Sequence, residues 1–140
     1  MAHDKDAVAQ DNVELMRAGL EAYERGGVEA LLDYIHPDFE VTTPASLTLE
    51  PDTYRGHDGV RRYFDSFYDA MDRVRFVPEE FIAVGDRVVI PLQVIARGRE
   101  TGIEATQRVF QVWSARDGKA IGVEVFPTRE EALEAAEHAA

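Results

Sequence analysis

The groups best suited to polarise or hold a ligand crowd into one stretch, Arg87 to Trp113, which reads RVVIPLQVIARGRETGIEATQRVFQVW. With Glu100-Thr101-Gly102 as a hairpin tip, the two arms pair Arg97 with Glu104, Ile95 with Thr106 and Gln93 with Arg108. Successive residues of a strand alternate between faces, so Gln93, Arg97, Glu104, Thr106 and Arg108 share one side with Phe110. An arginine held by a carboxylate, with an amide and a hydroxyl beside it, would bind a carboxylate, an enolate or a carbonyl group. The opposite side carries Val88, Ile90, Leu92, Val94, Ala96, Val109 and Trp113, and patterning by itself makes that side the core.

Other reactive side chains are scattered. Of the four histidines, His3 and His138 lie in terminal segments, His36 precedes Pro37, and His57 opens a helix. No two have the His-x3-His spacing of metal ligands, and no cysteine is present to act as nucleophile, disulfide partner or thiolate ligand. Neither a metal nor a cofactor is therefore expected. Tyr23, Tyr34, Phe64, Phe67 and Tyr68 fall on helices where they would wall an apolar pocket, and Tyr54, before Arg55-Gly56, would stand at its entrance.

These residues need a frame. Ala9, Val13, Met16, Leu20 and Tyr23 recur at helical steps up to Gly26-Gly27, and Val28 to Ile35 continues as a shorter helix that Pro37 ends. Phe39 to Thr43 reads as a strand, 44–55 as a loop or edge hairpin, and Asp58 to Met71 as a third helix. From Val74 the period changes to two. Strands are expected at 74–84 with a break at Pro78, at 87–99, at 103–113 and at 119–126, separated by turns at Gly85-Asp86, 100–102 and 116–118. Thr128-Arg129-Glu130-Glu131 is a capping box opening a last, acidic helix. Helices followed by an antiparallel meander make an α+β fold, and 140 residues without repeat or linker make one domain, with 1–8 as a flexible tail.

The charge narrows the partners. Fifteen basic against 27 acidic residues give a net charge of −12, which repels nucleic acid and anionic membrane surfaces. The opening MAHDKDAVAQDNVEL lacks an apolar core and no run of about 18 apolar residues occurs, so a soluble, cytoplasmic chain is expected.

Four segments in this order, GGVEALLDYIHPDFE, YRGHDGVRRYFD, RGRETGIEATQRVFQVWSARDGK and FPTREEALEAA, resemble the SnoaL-like branch of the NTF2-like superfamily. The resemblance implies a cone, a strongly curved antiparallel sheet wrapped around the N-terminal helices with a C-terminal helix, and a pocket inside. It implies that the polar hairpin face with Arg108 and Phe110 looks into that pocket. The apolar face would then be buried in a homodimer through the outer side of the sheet, with Gln107, Gln111 and Trp113 among the contacts. The catalytic patterns of the superfamily are not met. The ketosteroid isomerase base falls on Thr43 and its other functional positions on Gly19, Phe64 and Phe110, while the polyketide cyclase aspartate falls on Val125. No strand contains the Arg-x-Asp of limonene epoxide hydrolases. Two readings stay open: a cofactor-free lyase, isomerase or hydrolase acting on a small apolar substrate, or a non-catalytic ligand-binding or dimerisation module.

Overall fold

An apolar stripe of Val13, Met16, Leu20 and Tyr23 faces the sheet from helix α1 (Ala2–Leu31) in the computed structural model, which describes residues 2–42, 53–68 and 71–138. The helix starts at Ala2, so most of the segment expected as a flexible tail lies within it. At Gly27 the backbone takes φ 72° and ψ −157°, a region open to glycine and strained for other residues. The double glycine therefore ends the first helical segment, as the sequence predicts, and a shorter segment follows from Val28 to Leu31. Beyond the kink a 3-10 turn (Leu32–Tyr34) delivers the chain into β1 (Ile35–Thr42), which starts before Pro37. The ladder is irregular between Ile35 and Glu40, where that proline removes a donor.

Next come β2 (Thr53–Arg55), α2 (Gly56–Tyr68), β3 (Met71–Pro78) and β4 (Ile82–Val84). Then β5 (Arg87–Gly98), β6 (Glu104–Arg116), β7 (Lys119–Phe126) and α3 (Arg129–His138) complete the chain. Met71, expected at the end of the third helix, instead opens β3. The strands form one sheet in the order β2-β1-β7-β6-β5-β3, with β4 also on β5. β3 and β4 share one edge of β5, and the gap between them falls at Pro91, whose carbonyl still accepts a 2.8 Å bond from Glu79 N. In an antiparallel strand a residue's N–H and C=O point to the same neighbour, so the missing proline donor lies on the side where the edge is broken.

The sheet is mixed, a correction to the antiparallel expectation. β7 returns alongside β1 in parallel, and the sheet curls into a half-barrel around the helices, giving the α+β cone. Its concave face carries Val88, Ile90, Leu92, Val109, Trp113, Val123 and Val125 against Met16, Tyr23 and Leu31 of α1 and Val60 and Phe64 of α2. A second, smaller core lies on the convex face, where Ala132 and Ala136 of α3 cover Val89, Phe110 and Val112. Thr128 caps α3 as its capping signature foretold, Oγ1 accepting from Glu131 N at 3.2 Å. Arg61 of α2 donates to both Glu29 carboxylate oxygens (2.8 and 3.1 Å) and to Asp58 (2.9 Å), tying the part of α1 beyond the kink to α2. The hydrogen bond from Arg61 holds the Glu29 carboxyl below its ordinary pKa. No described helix is long and apolar enough to cross a membrane.

Candidate functional site

A curved sheet meets two helices at an angle, and side chains do not quite fill the space between them. The remainder is a cavity of about 40 Å³ inside the cone. Its walls are aromatic and aliphatic. α1 supplies Leu20 and Tyr23, α2 supplies Val60, Tyr63 and Phe64, and the sheet supplies Phe39, Phe76, Trp113 and Val125. Tyr23 stacks on Phe64 at 5.0 Å between ring centres and meets Phe76 edge-on at 5.3 Å, while Phe39 tilts against Trp113 at 5.9 Å.

One polar side chain of the sheet reaches this space. Gln111 is 8% exposed, and its Oε1 accepts a 2.8 Å hydrogen bond from Trp113 Nε1. The two residues sit at i and i+2 on β6, so alternation places both on the concave face. Among the described residues the wall contains no Asp, Glu, His, Lys or Arg. Among those residues it supplies no carboxylate or imidazole to act as a general base.

A groove of about 330 Å³ lies outside, between α1 and the β3–β4 connection. It shares Leu20 and Phe76 with the cavity, and these two side chains partition the spaces. The rim carries Glu21, Glu24, Glu79 and Glu80, with the Arg17 guanidinium 4.6 Å over the Phe81 ring.

Of the residues singled out in the sequence, Phe64 and Val125 line the cavity. Tyr34 borders a smaller void of about 10 Å³ between α1 and the sheet, beside Gly19, Trp113 and Ala120. Tyr54 lies edge-on to the cavity residue Tyr63 at 5.4 Å, beneath the Arg62 guanidinium. Thr43 and the side chain of Phe67 fall outside the described residues.

The hairpin register is as expected in all three pairs, Arg97 with Glu104, Ile95 with Thr106 and Gln93 with Arg108. The side on which they stand is reversed. Gln93, Glu104, Thr106, Arg108 and Phe110 occupy the convex face, because Val88, Ile90 and Leu92, each 0% exposed, must be buried against the helices. Arg108 is half exposed, donates from Nε to Glu79 Oε1 at 2.7 Å and covers the Phe110 ring at 5.1 Å. Glu104 and Thr106 are exposed, and Phe110 is buried beneath α3. The same reversal removes the expected dimer contacts at Gln111 and Trp113, which face inward within one chain.

His57 Nε2 bonds the Ile35 carbonyl at 2.9 Å, and His36 Nδ1 accepts from Asp38 N at 3.0 Å, so both serve local backbone. Sequence reasoning missed Gln111 as a site residue. Its signal was present: a lone amide at i+2 from Val109 and i−2 from Trp113, interrupting the apolar alternation of β6.

The profile of the SnoaL-like domain family matches residues 16–123. Among curated proteins nothing matches significantly. Among solved structures, the chain is similar to TerC co-crystallised with polyporic acid, with 28% identity, a TM-score of 0.74, and coverage of 91% of this chain and 98% of that one. An NTF2-like protein of unknown function from Burkholderia pseudomallei is 26% identical with a TM-score of 0.73, covering 89% of this chain and 95% of that one. A putative SnoaL-like polyketide cyclase from Jannaschia shares the fold at 16% identity and a TM-score of 0.69, with 94% of each chain covered.

Proposed function

This chain belongs to the SnoaL-like domain family, and we propose that it binds a small, uncharged, largely apolar organic molecule in the cone. The observation that carries the reading is the cavity wall: aromatic and aliphatic, with amide and phenol groups and, among the described residues, no carboxylate, imidazole, ammonium or guanidinium. Of the two readings open from the sequence, this wall favours binding without acid–base turnover. That TerC, a relative of similar fold, was co-crystallised with polyporic acid supports a small organic ligand, though not its charge.

Size is part of the proposal. Small-molecule sites usually span about 300–1,000 Å³, far more than the closed cavity offers. Displacing Phe76 from its place beside Leu20 joins the cavity to the outer groove, and the joined space reaches that range. The groove between α1 and β3 is then the entrance. We also propose self-association through the outer, convex side of the sheet; Ile103, at the hairpin tip beside it, is 68% exposed. A monomer by sedimentation velocity at micromolar concentration excludes it.

Trp113 is the only tryptophan and lines the cavity, so its fluorescence reports occupancy directly. Mass spectrometry of the purified chain under native conditions should show a co-purified neutral molecule, and its removal should change Trp113 emission. If neutral aromatic probes leave Trp113 emission unchanged over their soluble range, the cavity is not a binding site.

A further inference from the structure

We infer that Gln111 is the specificity-determining donor of the cavity, selecting an uncharged ligand that carries a carbonyl or other oxygen acceptor on an apolar frame. The inference rests on the binding reading above and names the ligand chemistry that the reading leaves open.

The indole of Trp113 has one N–H and no acceptor, so the atom of Gln111 that meets it at 2.8 Å is the carboxamide oxygen. That bond fixes the orientation of the amide and turns its nitrogen, with two protons, away from Trp113. Among the described residues no acceptor meets this nitrogen, although Gln111 is more than nine-tenths buried. The described cavity wall is mostly carbon, with Phe39, Val123 and Val125 on the sheet side. An amide donor that opens onto a mostly apolar cavity is poorly solvated, and an oxygen placed in the cavity would satisfy it.

The selection works in two directions. A hydrocarbon of the right shape fills the cavity but leaves the amide protons bare. A carboxylate satisfies them but loses its hydration, with no cation among the described wall residues to replace it. A neutral ketone, ester or quinone meets both conditions. Sites built around a buried polar group discriminate strongly against analogues that lack its partner.

The test uses the whole chain and a matched pair of probes, indane and 1-indanone, which share one frame and differ at the carbonyl. Binding is read from Trp113 fluorescence and from the side-chain amide resonances of Gln111. The expected result is that 1-indanone, and not indane, shifts the Gln111 amide resonances. Gln111→Leu should weaken 1-indanone binding about tenfold and leave indane bound equally or better. If Gln111→Leu keeps its affinity for 1-indanone, or if the wild-type amide resonances stay in place while Trp113 responds, the inference is overturned and the binding reading survives. If Trp113 responds to neither probe in the wild type, the binding reading falls and takes the inference with it. Should Gln111→Leu fail to fold, the wild-type amide shift decides the matter alone.

Discussion

Arg108 and Gln111 stand three positions apart on one strand and have opposite fates. Arg108 lies in water with its head on Glu79, and an exposed pair of this kind contributes little to stability. Arg108→Ala should therefore change stability by no more than about 0.5 kcal/mol in urea denaturation and leave probe binding at Trp113 unaltered. A loss of several kcal/mol would mean that the guanidinium has a buried role that the convex face does not show. Gln111, by contrast, is held in the interior by a single bond from Trp113. At this scale the sequence was half legible. Alternation told which side chains stand together, since Gln93, Glu104, Thr106 and Arg108 do share a face. It did not tell which face curves inward. The apolar run Val88, Ile90, Leu92 held that answer, and the resemblance to pocket-bearing relatives argued for the opposite one.

Elements were easier to read than faces. Gly85, Gly102 and Gly118 marked the turns of the meander, each with a positive φ, and β7 spans Lys119–Phe126 as the pattern predicts. The stop at Gly26-Gly27 was legible, since the backbone leaves the helical region at Gly27. The next helix end was less so, because Ile35, expected as the last helical residue, opens β1. Gly27→Ala meets no neighbouring atom, so its effect isolates backbone strain, and it should cost about 1–3 kcal/mol in chemical denaturation. The clamp beyond that kink has a pH signature. Glu29 is held below its ordinary pKa chiefly by the hydrogen bond from Arg61, so the clamp stabilises fully above the unfolded glutamate value. That stability is lost as pH falls through the lower folded value. The Glu29 carboxyl carbon should titrate below the usual glutamate range by NMR, and Arg61→Gln should raise its midpoint. An unmoved midpoint would show that Arg61 is not the cause. The mixed sheet was hidden for another reason: β1 looks like any short strand, and nothing local announces that its partner is the last one.

For the molecule as a whole, a thin layer of side chains separates the interior from the outer groove. The partition of Leu20 and Phe76 is the layer toward the groove. Phe76→Ala should open it, making Trp113 more accessible to acrylamide quenching and speeding probe association, at a stability loss of roughly 3 kcal/mol. Quenching no greater than in the wild type would locate the entrance elsewhere. The parallel ladder of β1 on β7 has a different reach. Ile35 pairs with Ala120 and Thr42 with Glu124, so strands separated by most of the chain must find each other to finish the sheet. Such distant pairing slows folding, because loop closure precedes any gain from the contacts, and places this topology in the millisecond-to-second range. During synthesis β1 emerges early and waits with an open edge until β7 has left the ribosome. The cone, and with it the cavity, is therefore completed only when translation of the meander is complete.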